Sequence, residues 1–293
     1  MGRGSRRTCS NPLTELDATS RAVLAALRPD WPADQVQATF LPGGYSNRSY
    51  RLQFGECDCV LRVIDTARSL PGVDREFELA VLSGPAAPLA PPLLAYRLPE
   101  GHMLTRFVDG PRIDEIAAAP ATLAEYLSHL HGTLGPLDRT YDTSTVVRRY
   151  LAAAGAGVPA WAQAALEPPS AAETLRSSHN DLNPWNVIAC GAHPRAWVTL
   201  DWEHAGVNDV WFDVVTLATS LRLGAEAERD LVLRYAGAAR IVAPEQYRWD
   251  RLRSLFWLRE YAWALLQQTL GNRRAEIVEQ VRIAEDEVRR RAR

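Results

Sequence analysis

The 293-residue sequence predicts an α+β fold in two lobes, a small antiparallel β lobe followed by a larger, mainly helical one. Three observations lead there. The length suffices for two packed lobes of roughly 100 and 190 residues. The front third breaks into short strand-like runs separated by glycine turns. Beyond Asp109-Gly110-Pro111, long leucine stripes at helical spacing take over, with one island of strand and loop from Ser178 to Asp213.

In chain order, Asn11-Pro12 reads as a helix cap with proline in the first turn. Leu13, Leu16, Val23, Leu24 and Leu27 then repeat at helical spacing until Arg28-Pro29. Strands are expected at 38–41, 49–54 and 59–64, divided by Gly43-Gly44 and Gly55-Glu56. A helix follows over 74–82, then a Pro- and Ala-rich connector from Pro85 to Pro92. The runs 93–98 and 103–108 flank Pro99-Glu100-Gly101 and predict a hairpin. Leu123, Leu127, Leu130 and Leu134 make one helical stripe; Ile277, Val281, Ala284 and Val288 make another, read as core or a dimer seam. The expected division is an N-terminal helix over 1–34, a β lobe over 35–104 and a helical lobe over 105–293.

The chain is 47% hydrophobic and 23% charged, which excludes a disordered protein. Its net charge of −2 offers no general attraction to nucleic acid or membrane. All 33 basic residues are Arg. The absence of Lys excludes Schiff-base chemistry and a Walker-type phosphate loop. Cys9, Cys57, Cys59 and Cys190 have no zinc spacing and are expected to be reduced. No 18-residue apolar run and no signal peptide are present, so a cytoplasmic protein, monomer or homodimer, is expected.

The chemistry concentrates in His179-Asn180-Asp181-Leu182-Asn183-Pro184-Trp185-Asn186 and in Val198-Thr199-Leu200-Asp201. Phosphoryl transfer requires a carboxylate at the attacking hydroxyl and oxygen ligands for magnesium. Asp181 can take the hydroxyl proton. Asn186 can offer an amide oxygen to the metal, and a turn at Gly191-Ala192-His193 would return Asp201 beside it.

HxDxxxxN followed by an apolar strand and Asp201-Trp202-Glu203 resembles the aminoglycoside phosphotransferase/choline kinase superfamily. The resemblance spans about residues 35 to 270. His-Asn-Asp-Leu and Asp201 to Gly206 are similar to its choline, ethanolamine and thiamine kinase branch, and Phe212-Asp213 matches that branch's later aspartate. The resemblance implies a bilobal, protein-kinase-like fold with a nucleotide-binding front lobe and a catalytic, acceptor-binding rear lobe. It also implies ATP and Mg2+ as cofactors, Asp181 as catalytic base, and Asn186 and Asp201 as metal ligands. Asp213 would brace the catalytic loop, and His179 would orient it.

Further positions follow from the same resemblance. Gly43, Gly44, Ser46 and Asn47 would approach the phosphates, though a plain hairpin turn would look the same. Arg62 stands where kinases put a lysine on the α/β-phosphates, with Glu78 as its ion-pair partner. Thr105 and Phe107 lie in the segment that would meet adenine through its backbone. The acceptor side would draw on Glu203, Trp211, Trp257, Glu260 and Tyr261. Aromatic faces plus carboxylates suit a small cation, while core packing would explain the same aromatics. A choline-, ethanolamine- or thiamine-like hydroxyl acceptor is therefore expected first. An aminoglycoside or other antibiotic or sugar comes next, and a pseudokinase or a helical partner-binding module are the readings from other classes.

Overall fold

The computed structural model describes residues 15–42, 47–167 and 174–291. They form two compact units. Residues up to Asp65, with Pro92–Phe107, make the first; Thr66–Pro91 and the chain from Val108 onward make the second.

The first unit is a five-stranded antiparallel sheet with one helix. Its elements are α1 (Ala18–Leu27), β1 (Gln37–Leu41), β2 (Asn47–Phe54), β3 (Cys57–Ile64), β4 (Leu93–Arg97) and β5 (His102–Arg106). The strand order is β1-β2-β3-β5-β4. β2 and β3 close a tight hairpin in which Phe54 faces Cys57, and Gly55 takes the left-handed conformation (φ 57°) that the turn demands. Leu52, Cys59, Leu61, Val63 and Leu104 have no exposed surface and pack with Leu24 of α1 and Trp31. Each such leucine contributes about 2 kcal/mol to folding. α1 begins later than the sequence suggests. Its cap is Asp17, whose Oδ1 accepts from the Ser20 N–H at 2.8 Å, while Asn11 lies outside the described residues.

The second unit contains α2 (Arg75–Ser83), α3 (Pro120–Thr133), α4 (Thr143–Ala153), α5 (Trp211–Ser220), α6 (Ala225–Ala239), α7 (Gln246–Thr269) and α8 (Ala275–Arg291). Two short antiparallel pairs sit among them, β6 (Leu175–Ser178) with β9 (Gly206–Asp209), and β7 (Val187–Ile188) with β8 (Val198–Thr199). The sequence division at 104 put α2 with the sheet, whereas the structure groups it with the helices. Hydrogen bonds from this helix and from the connector that follows it explain why. Arg75 reaches Glu203, the Gly135 N–H reaches the Pro85 carbonyl, and the Thr199 N–H reaches the Leu89 carbonyl. On α8, Ile277, Ala284 and Val288 are buried and the helix packs along α7, so this stripe is intramolecular core.

Candidate active site

The loop after β6 is held by three side chains that leave it little freedom. His179 is buried, and its Nε2–H donates to the Leu200 carbonyl at 2.8 Å while Nδ1 accepts the Asp181 N–H at 3.2 Å. One neutral imidazole thus spaces Asp181 from the residue before Asp201. Burial lowers its pKa, which suits a ring that needs an unprotonated Nδ1. Asn180 adopts a left-handed backbone (φ 67°), a conformation asparagine tolerates better than most residues. Its amide donates to the carbonyls of His204 (3.0 Å) and Gly206 (3.1 Å) and accepts from Asn208 at 2.9 Å.

Asp213 sits in the first turn of α5, where a carboxylate complements the helix dipole. It accepts the backbone N–H of His179 at 2.8 Å and of Asn180 at 2.7 Å. His131 Nε2–H donates to it at 2.9 Å, and His131 Nδ1 meets the Tyr235 hydroxyl at 2.8 Å. Burial opposes the charge of Asp213, but His131 and these backbone donors hold its carboxyl below the usual carboxylate range.

Asp181 is paired with a residue that sequence reasoning missed. Arg259, buried on α7, donates through Nη2 to Asp181 Oδ1 at 3.0 Å and to Glu260 Oε1 at 3.2 Å. Its Nη1 donates to the Asn180 carbonyl. The amides of Asn183 and Asn186 both stand 3.3 Å from Asp181 Oδ2. Burial pushes the Asp181 carboxyl up to about 7, although 24% of the side chain still meets solvent. Arg259 works the other way, while the charges of Glu260, Asp201 and Glu203 add to the rise. The only sequence signal for Arg259 is its place beside Glu260.

The β7–β8 hairpin delivers Asp201. The Leu200 N–H donates to the Asn186 carbonyl at 2.8 Å, which sets Asp201 next to the end of the loop. Asp201 also has a left-handed backbone (φ 59°). Asn186 directs its amide N–H to the Asp181 carbonyl at 3.0 Å, so its other terminus, the oxygen, is the atom suited to a cation. Carboxylate oxygens of Glu78, Asp201 and Glu203 lie within 4.8 Å of one another. This all-oxygen donor set fits magnesium. Arg75 tempers the cluster, with Nη1 donating to Glu78 at 2.8 Å and to Glu203 at 2.7 Å. Its three-residue spacing from Glu78 on one helix was the available signal.

The remaining expected residues are dispersed. Gly43, Gly44 and Ser46 lie outside the described residues, and Asn47 opens β2. Arg62 is buried on β3 of the first unit, whereas Glu78 belongs to the second. Thr105, on β5, pairs with Val60 of β3, and the Phe107 N–H donates to the Asp58 carbonyl at 3.0 Å. The Phe107 ring lies under the Arg51 guanidinium, 3.8 Å away. Trp211 is corrected: it has no exposed surface and packs edge-on to Tyr235 and Trp249, so it presents nothing to an acceptor. Tyr261 packs edge-on to Trp161 and Trp257 to Phe256, each half-buried.

Comparison with known proteins supplies the family and the fold. The Phosphotransferase enzyme family matches residues 37–255, three quarters of the sequence. The chain belongs to this family. No curated protein matches the phosphotransferase in sequence at a significant level. Among solved structures, it is similar to a choline/ethanolamine kinase family protein from Mesorhizobium loti (20% identity, 93% of each chain, TM-score 0.68). It is similar to the choline kinase LicA from Streptococcus pneumoniae (16% identity, 85% of this chain and 93% of that one, TM-score 0.66). Spectinomycin phosphotransferase in complex with ADP and spectinomycin shares 10% identity over 87% and 92% of the two chains (TM-score 0.55). At these identities the likeness is one of fold, the kinase-like α+β architecture of the phosphotransferase.

Proposed function

We propose that the protein is an ATP-dependent kinase that phosphorylates a hydroxyl of a small acceptor bearing a cationic group of choline, ethanolamine or thiamine type. The observation that carries this reading is the carboxylate assembly around Asp181. Glu203, Glu260 and Asp201 all act on it, and Arg259 holds one of its oxygens. Asp181 takes the acceptor's hydroxyl proton as that oxygen attacks the γ-phosphorus. The bond from the γ-phosphorus to the bridging oxygen breaks, and ADP leaves. Asp201 and the Asn186 amide oxygen would hold magnesium, which when bound supplies charge neutralisation on the phosphates. Arg62 and Glu78 are assigned to the nucleotide side, and the ADP in the spectinomycin phosphotransferase complex supports a nucleotide donor.

The surrounding acid favours a cation, since an acceptor's positive charge lowers the repulsion among these carboxylates. An aminoglycoside is less well served. Of the acids between Asp209 and Glu260, Asp209 is paired with Arg248, Glu228 with Arg253 and Asp230 with Arg234, while Asp213 is buried. ADP release measured across a panel of hydroxyl acceptors tests the order. Turnover of amino alcohols is expected; exclusive turnover of an aminoglycoside would reverse it.

A further inference from the structure

Two guanidinium groups converge on one glycine beside the site, with a single carboxylate, at the limit of ion-pair distance, to balance them. Arg139 Nη2 donates to the Gly72 carbonyl at 2.9 Å. Arg149 lies so close that a Cβ at Gly72 would stand 1.8 Å from its Nη1. Among the described residues Arg149 has no acidic partner. The acid near Arg139 is Asp74, at 3.9 Å from Nη1, and that nitrogen is buried without a hydrogen bond. Both groups line a cavity of about 190 Å³ with Tyr141, Tyr150 and Glu203. The acids of its wall are engaged elsewhere. Asp142 caps α4 through the Ser144 N–H, and Glu203 is bound to Arg75.

We propose that this cavity is an oxyanion subsite, and that the acceptor carries a carboxylate or phosphate group which Arg139 and Arg149 receive there. The second half rests on the transferase reading. Guanidinium forks match such oxyanions bidentately, and an anion relieves the repulsion between two cations held at one point. The Tyr141 ring on its wall packs edge-on to His204, three residues after Asp201, which places the subsite beside the segment that carries Asp201, and Tyr141 and Tyr150 both feel the charges of Arg259 and Asp181. With Glu203 on the same wall, the acceptor is a zwitterion, with its ammonium group towards the carboxylates and its anion at the arginines.

Matched acceptors isolate the anion. Ethanolamine and serine share an amine and a hydroxyl and differ by one carboxylate; 3-aminopropanol and homoserine form the same comparison one carbon longer. The carboxylate-bearing member is expected to show at least about tenfold higher kcat/KM. Arg149→Gln, at an exposed side chain, should raise that member's KM about tenfold and leave the KM for ATP and the turnover of the plain amino alcohol unchanged. Calorimetric titration of inorganic phosphate into the ADP-saturated protein reads the subsite directly, with saturable binding expected in the wild type and lost in Arg149→Gln. Absence of phosphate binding together with no preference for the carboxylate member overturns the proposal, as does binding that survives Arg149→Gln. Phosphate binding that is lost in Arg149→Gln, without any carboxylate preference, assigns the site to free phosphate and overturns the acceptor half. If that binding is lost in the variant and no acceptor at all is phosphorylated, the oxyanion site stands and the transferase reading falls.

Discussion

Asp181 illustrates how a single carboxylate is tuned by its neighbours. In the proposed reaction Asp181 is the base and must be ionised to accept a proton, and its carboxyl is pushed up to about 7, by burial first and by other carboxylates next. Turnover is therefore expected to rise with pH until about 7 and then level off. Arg259→Gln removes the cation that opposes the rise, so the acid limb should move to higher pH. A profile that stays flat from pH 5.5 to 8 in both proteins contradicts this. Asp181→Ala and Asp201→Ala should each leave a folded protein with turnover lowered by roughly 10² or more. Near-normal rates in either variant, with the fold checked by circular dichroism, would remove these residues from the chemistry.

At the scale of elements, Asp213 is the joint at which α3, α5 and the loop carrying Asp181 meet. Its two oxygens accept two backbone N–H groups and one imidazole, all buried. Asp213→Ala strands all three donors, and a loss of about 3–5 kcal/mol is expected in urea unfolding. A loss below 1 kcal/mol would mean that water or a neighbour replaces it easily. The sign with pH also follows. Because the folded-state pKa of Asp213 lies below its unfolded value, its stabilisation is present above that unfolded value, about 3.9. It is lost as the pH falls through the lower folded value. Acid unfolding of Asp213→Ala should consequently be less steep than that of the wild type.

For the whole molecule, nucleotide and metal should act together. A ligand that binds only the folded state stabilises it by about 2.7 kcal/mol at a hundred times its Kd. Magnesium with ADP is thus expected to raise Tm by several degrees, and a chelator should remove part of the gain. In Asp201→Ala the chelator should make no difference. An equal shift with and without magnesium in the wild type would separate the metal from nucleotide binding. Among the described residues no helix is long and apolar enough to cross a membrane.

Much of this was legible along the chain because it is local. The alternation of Cys59, Leu61 and Val63, the turn at Gly55-Glu56 and the stripe of Leu123, Leu127 and Leu130 each follow from the period of a strand or a helix. The spacing from His179 to Asn186 and the short apolar return to Asp201 likewise mark one loop and one hairpin. Partners that meet across long separations leave no such trace. Arg259 reaches Asp181 across 78 residues, Arg75 reaches Glu203 across 128, and Trp211 is drawn into the core by Tyr235 and Trp249. Periodicity reports which face of an element is apolar; which faces come together is set by the packing of helices against one another. So the chain itself marked the loop and the hairpin that bring its carboxylates together, and tertiary structure alone chose the cations that surround them.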